Sequence, residues 1–214
     1  GMDTTEKECL LYLPIYSELE SLKAGIQKTA SIEAIPNPFK YKMVIFGSSF
    51  TQGISASRPG MSYPMQMERN LNINVCNLGF AGNSKLQTYF ANVIAAVDVD
   101  AIVFDAFSNP GEEIIRERLA PFLDIIIKKH KKTPLIFVQT IHRGNTNFNL
   151  ENRGWEEKKQ KAAKELMADI VQKYPNVYFI ENPLPEGVSG DISADGVHPS
   201  DLGYYYWAKN LGDQ

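Results

Sequence analysis

The chain has 214 residues, of which 43% are hydrophobic and 22% charged, and it carries a formal net charge of -3. A chain of this length can bury a sizeable core in one domain, or in one domain with a short appendage, and its slightly acidic balance disfavours a nucleic-acid partner. No run approaches the roughly 18 apolar residues that a membrane-spanning helix needs. The two cysteines, Cys9 and Cys76, supply neither a disulfide framework nor the close companions of a zinc site.

Residues 1–40 stand apart from the rest of the chain. Leu10-Leu11-Tyr12-Leu13-Pro14 and Ser21-Leu22-Lys23-Ala24-Gly25-Ile26 are short apolar segments with the look of strands, and Ile35-Pro36-Asn37-Pro38 reads as a linker. The stretch is expected to be an N-terminal arm packed on the next domain, or the tail of an upstream β domain. It lacks the basic start and unbroken apolar core of a signal peptide, and Gly1 before Met2 looks like the remnant of a tag.

Over residues 41–214, short β-type runs alternate with longer helical patterns, the signature of βαβ units and a parallel sheet. Strands are expected at 43–47, 73–78, 101–105, 134–140 and 176–180, with Cys76 as buried filler of the second. Helical periodicity covers 61–71, 84–97, 112–131, 155–174 and 201–211, and the basic run Lys128-Lys129-His130-Lys131-Lys132 is the solvated C-terminal end of the third of these. The pattern predicts an α/β fold, a three-layer α/β/α sandwich on a five-stranded parallel sheet. Such sheets place their sites in the crevice beyond the carboxyl ends of the strands, so the loops after the strands carry the chemistry.

Four of those loops hold suggestive residues. Gly47-Ser48-Ser49 follows the first strand, and Gly53 closes the turn; the residue at position 51 is Thr, so the Gly-x-Ser-x-Gly elbow is missing. Asn77-Leu78-Gly79-Phe80-Ala81-Gly82-Asn83 follows the second strand, and Asp105-Ala106-Phe107-Ser108-Asn109-Pro110 the third. Asp195-Gly196-Val197-His198-Pro199 leads into the last helix. A serine hydroxyl becomes a nucleophile when a histidine takes its proton and a carboxylate orients that histidine. Backbone amides on glycine turns, with a side-chain amide such as asparagine, suit a developing oxyanion. Taken singly, each residue also suits a plain turn or cap. Arg58, His142 and Arg143 could offer hydrogen bonds to a polar substrate. In Tyr204-Tyr205-Tyr206-Trp207, three of the four rings are expected to pack on the sheet.

Together the four blocks resemble the SGNH hydrolase superfamily, also called the GDSL lipase and esterase family, over residues 43–211. The resemblance implies a flavodoxin-like sandwich with no metal or organic cofactor. It implies that Ser49 is the nucleophile, Asp195 and His198 the supporting pair, and Ser49, Gly82 and Asn109 the oxyanion donors. Ser48 stands where the family usually has aspartate, and Phe107 and Pro110 where it has glycine and aspartate. Those departures are expected to cost a local hydrogen-bond acceptor and a loop brace. Gly47 to Pro64 resembles a bacterial subgroup with a Gly-Ser-Ser first block. Its members often carry an upstream β domain and act on acylated carbohydrates outside the cytoplasm. The function so implied is a serine ester hydrolase acting on small or carbohydrate esters. An acyltransferase using the same groups, or a noncatalytic carbohydrate-binding protein on this fold, are the alternatives; the oligomeric state is not legible.

Overall fold

A computed structural model of the chain describes residues 3–185, 188 and 190–214; Gly1 and Met2, the expected tag remnant, lie outside them. Five parallel strands, β1 (Lys42–Gly47), β2 (Asn74–Gly79), β3 (Ala101–Asp105), β4 (Leu135–Val138) and β5 (Val177–Ile180), form one sheet in the order β2-β1-β3-β4-β5. This is the flavodoxin-like order, with its switch point between β1 and β3. The helices are α1 (Ser49–Gln52), α2 (Tyr63–Leu71), α3 (Thr88–Ala95), α4 (Glu112–Lys129), α5 (Leu150–Lys173) and α6 (Asp201–Gly212).

Strand alternation explains the two cores. In β1, Val44 and Phe46 face one side and Met43 and Ile45 the other, because successive strand side chains point to opposite faces. Val44 and Phe46 join Ile94, Phe104, Leu119, Phe122, Phe137 and Met167 under α3, α4 and α5. Met43 and Ile45 join Phe50, Tyr63, Met67, Tyr204 and Trp207 under α1, α2 and α6. The expected three-layer α/β/α sandwich is therefore present, with every central strand buried on both faces.

The boundaries differ where local chemistry overrides periodicity. The third helix starts at Thr88 rather than 84 because Leu86 has φ +58°, a left-handed conformation that a helix cannot contain. The fifth starts at Leu150, five residues before the expected position, because the Asn149 side chain accepts from Asn152 N–H and the helix runs through Gly154. Ser49–Gln52 forms a short helix that periodicity could not reveal; Ser48 caps it and Gly53 ends it at φ +95°. Cys76 is exposed, not buried filler, because β2 is an edge strand. Of the Tyr204–Trp207 rings, Tyr204 and Trp207 are fully buried while Tyr205 is exposed, so two rather than three seat on the sheet side.

Residues 3–40 contain no strand, which corrects the expectation for the two apolar segments. Residues 10–16 lie against the domain, and Leu10, Leu13, Leu22 and Ile32 each expose half or more of their surface. Three contacts tie this arm down: Gln52 Nε2 donates to Ile15 O at 2.8 Å, Ser55 N donates to Tyr16 Oη at 3.0 Å, and the Arg69 guanidinium lies 5.3 Å from the Tyr12 ring. A cavity of about 450 Å³ lies between residues 10–15 and the α2/β2 edge, and its lining includes none of Ser49, Asp195 and His198.

Candidate active site

Ser49 sits at the first position of α1, directly beyond the carboxyl end of β1. The first N–H groups of a helix have no intrahelical acceptor, so the backbone here offers donors to the crevice as well as a hydroxyl. The approach of α1 to the sheet is close. A Cβ at Gly79 would overlap the backbone nitrogen and Cα of Gln52, so only glycine at the end of β2 lets α1 lie there.

The terminal loop meets Ser49 from across the molecule. An antiparallel bridge between Ser193 and Pro199 closes the loop, Gly196 turns it at φ +75°, and Ser200 caps α6 by accepting from Gly203 N–H. Asp195 Oδ1 accepts from Val197 N at 2.8 Å and from His198 N at 2.7 Å, while Oδ2 lies 2.8 Å from His198 Nδ1. The opposite ring nitrogen, Nε2, is 3.1 Å from Ser49 Oγ. An ionised carboxylate can only accept, so Nδ1 carries the proton and Nε2 is left to accept the serine hydroxyl. Burial works against the charge on Asp195, but the hydrogen bonds from the His198 ring, His198 N–H and Val197 N–H outweigh it and hold the carboxyl at about 2. The Phe50 ring stands edge-on to His198, with centroids 5.7 Å apart.

The second and third loops lie beside this chain of bonds. Phe80 N donates to Gly47 O at 2.8 Å and Asn77 Nδ2 to Thr51 O at 2.9 Å, pinning the second loop to the first. Gln52 reinforces the join: its Oε1 accepts from Ala81 N at 2.9 Å, one residue before Gly82. Gly82 has φ +70° and open space around its Cβ position. Asn109 Nδ2 donates to Ser84 Oγ at 2.9 Å and, more weakly, to Phe80 O at 3.3 Å, so its amide faces the Gly82 loop.

The acceptor that Ser48 was expected to forfeit comes from β3. Asp105, buried at the end of that strand, accepts from Ser48 Oγ at 2.5 Å, Ser48 N at 3.0 Å, Thr51 Oγ1 at 3.1 Å and the Ser108 hydroxyl. One carboxylate thus joins the serine loop to the asparagine loop and does the bracing that Pro110 cannot. Burial pushes its carboxyl above the usual range, and the bonds from Ser108, Ser48 and Thr51 pull the other way. An amide offers one acceptor oxygen and confronts the remaining donors with N–H groups. Asp105→Asn is therefore expected to cost about 1–3 kcal/mol of stability, read as a melting-temperature fall of roughly 2–10 °C; an unchanged melting temperature would contradict the brace. A charged residue ending an otherwise apolar central strand was the sequence signal for Asp105.

The remaining candidates diverge. Arg143 is mostly buried: its Nη2 donates to Ser108 O at 2.7 Å, its Nη1 pairs with Glu156 Oε1 at 3.1 Å, and its guanidinium lies 5.3 Å from the Phe50 ring. Arg58 is exposed and donates to Ser57 Oγ at 3.3 Å. His142 is exposed in the loop after β4. Among the described residues, no group of three His, Cys, Asp or Glu side chains could hold a metal ion, and no helix is long and apolar enough to cross a membrane.

Comparison with known proteins places the chain in a family. The profile of the GDSL-like lipase/acylhydrolase family matches residues 40–213. The chain belongs to that family. A crystal structure described as a GDSL-like lipase from Bacteroides ovatus ATCC 8483 is 39% identical, with a TM-score of 0.88 over 94% of this chain and 60% of its own. Two more distant structures share the fold of this GDSL-like chain. A family two carbohydrate esterase from Clostridium thermocellum, in complex with cellohexaose, is 15% identical (TM-score 0.64, covering 86% of this chain and 66% of that one). The salicylyl-acyltransferase SsfX3 of a tetracycline biosynthetic pathway is 19% identical (TM-score 0.63, 86% and 54%). The chain spans less than two thirds of the length of each of the three. No curated protein matches it significantly.

Proposed function

We propose that this GDSL-like hydrolase is a serine esterase in which His198 deprotonates Ser49, Ser49 attacks the ester carbonyl, and Asp195 orients and supports the imidazolium that forms. The observation that carries the reading is the continuous chain Asp195 Oδ2 to His198 Nδ1, 2.8 Å, and His198 Nε2 to Ser49 Oγ, 3.1 Å. Ser49 N–H, Gly82 N–H and the Asn109 amide take the tetrahedral oxyanion, with Asn109 exchanging its 3.3 Å contact to Phe80 O for it. The alcohol leaves with the proton from His198, and water, activated by the same imidazole, releases the acid.

The substrate class in this reading is a short-chain or carbohydrate ester, in keeping with a fold neighbour that is a carbohydrate esterase. The test is a series of 4-nitrophenyl esters and acetylated sugars, with and without a free sugar acceptor. Hydrolysis of acetyl esters that falls away with chain length supports the reading. Transfer to the sugar in place of release of free acid would make the enzyme an acyltransferase, and no turnover of any ester would overturn the esterase reading.

We further propose that residues 1–40 are the tail of an upstream domain, because this segment leaves a row of large apolar side chains exposed. In a chain extended upstream, amides over residues 19–35 should then exchange hydrogen more slowly than in the present one. Equal exchange would contradict it.

A further inference from the structure

Behind Asn109 the chain buries three charged side chains that the proposed mechanism does not use. Lys159, on α5, is fully buried; its Nζ donates to Ser108 O at 3.0 Å and to Glu156 Oε1 at 2.8 Å, and lies 4.1 Å from the Trp155 ring. Arg143, from the loop after β4, donates to the same Ser108 carbonyl at 2.7 Å and pairs with the same Glu156 oxygen at 3.1 Å. Two cations thus share one carboxylate and one peptide carbonyl. The second Glu156 oxygen, Oε2, and Arg143 Nε are buried without partners. Such a cluster is a poor way to gain stability, since apolar side chains of the same volume usually do as well or better in its place. Its focus is the peptide bond that joins Ser108 to Asn109. The other side of Ser108 is held as well, by Asp105 and by Thr140 Oγ1 at 3.2 Å.

We infer that Lys159 and Arg143, held by Glu156, are positioning residues for Asn109: they fix the Ser108 carbonyl and set positive charge directly behind the amide that meets the oxyanion. The inference rests on the serine esterase reading and deepens it. A preorganised charge in a water-excluded site acts with little screening on negative charge that develops nearby. The cluster touches neither the nucleophile nor the base, so its effect belongs to turnover rather than to substrate binding.

The groups that face Lys159 also set its titration. Burial lowers its pKa first, repulsion from Arg143 adds to that, and Glu156 on its own helix and Asp105 at the end of β3 oppose, leaving it at about 8. The charge behind Asn109 is therefore lost as pH rises through that value.

The experiment is Lys159→Met, which keeps the length and removes the charge, assayed on 4-nitrophenyl acetate beside wild type and Ser49→Ala. Expected is a kcat about tenfold lower, well short of the loss from removing a direct oxyanion donor, with KM within about twofold and melting temperature unchanged or higher. Wild type is expected to lose kcat as pH rises through about 8, and the variant should show no such fall. A wild-type kcat in Lys159→Met, with or without a change in melting temperature, overturns the inference. If that variant does not fold, Glu156→Gln substitutes. Removing the carboxylate charge should move the alkaline fall to lower pH, and an unmoved profile overturns the inference just the same. Retained activity in Ser49→Ala would instead sink the esterase reading itself, whatever Lys159 does.

Discussion

Replacing Ser49 by Ala is expected to lower ester turnover by about 10⁴- to 10⁶-fold, and His198→Ala by a similar factor, with the double variant no worse than either alone. The reason is that in the proposed mechanism the serine and histidine act as one unit. A hydroxyl without its base remains a weak nucleophile, and an imidazole without the hydroxyl has nothing to activate. The 3.1 Å contact between Nε2 and Oγ places the proton acceptor within reach before substrate arrives. Steady-state kinetics of the three variants, each checked for folding, decide the matter. Losses that multiply in the double variant would mean two independent roles and no triad.

The same arrangement fixes the sign of the acid response. The Asp195 carboxyl is held at about 2, below its ordinary 3.8, so it stays ionised as pH falls toward that range. Any stability it contributes is fully present above its unfolded value and is lost only as pH drops through the folded one. Nearly half of its side-chain surface is exposed, which keeps that contribution small. Asp195→Asn, which removes the acceptor that orients the ring, should lower turnover across the whole pH range.

Asn109→Ala is expected to lower kcat by about 10²- to 10³-fold with a small change in KM. Its amide grips the second loop through Ser84 Oγ and Phe80 O, so alanine removes both the proposed donor to the oxyanion and a tie between two loops. The two roles separate in the measurement. Loss of the tie alone lowers the melting temperature and leaves kcat near wild type; loss of the donor lowers kcat whatever the melting temperature does. An unchanged kcat would remove Asn109 from the mechanism.

Much of the fold, and the meeting of Asp195, His198 and Ser49, was legible in the sequence, for reasons that can be named. The five apolar runs separated by amphipathic stretches pointed to the sandwich, because a strand buried on both faces leaves a dense β-branched and aromatic signature such as Met43-Val44-Ile45-Phe46. Asp195 and His198 lie three residues apart in one loop, so their pairing needed only local geometry, and the order of the four blocks brought Ser49 to them. What could not be read was tertiary. Asp105 looked like the end of a strand until β1 and β3 proved adjacent, with Gly47 beside Asp105 in register. Lys159 and Glu156 sit on a helix dense with charges, and nothing in α5 alone says which face turns inward. Cys76 and the arm failed for a related reason: burial of an edge strand, or pairing of an apolar segment, depends on what lies beside it.

The most direct test of the central claim is covalent. A fluorophosphonate probe transfers phosphorus to an activated serine, and digestion followed by mass spectrometry locates the adduct. One adduct per chain is expected, on Ser49, and none in Ser49→Ala. An adduct on another residue, or an unlabelled chain that still hydrolyses esters, would contradict the triad.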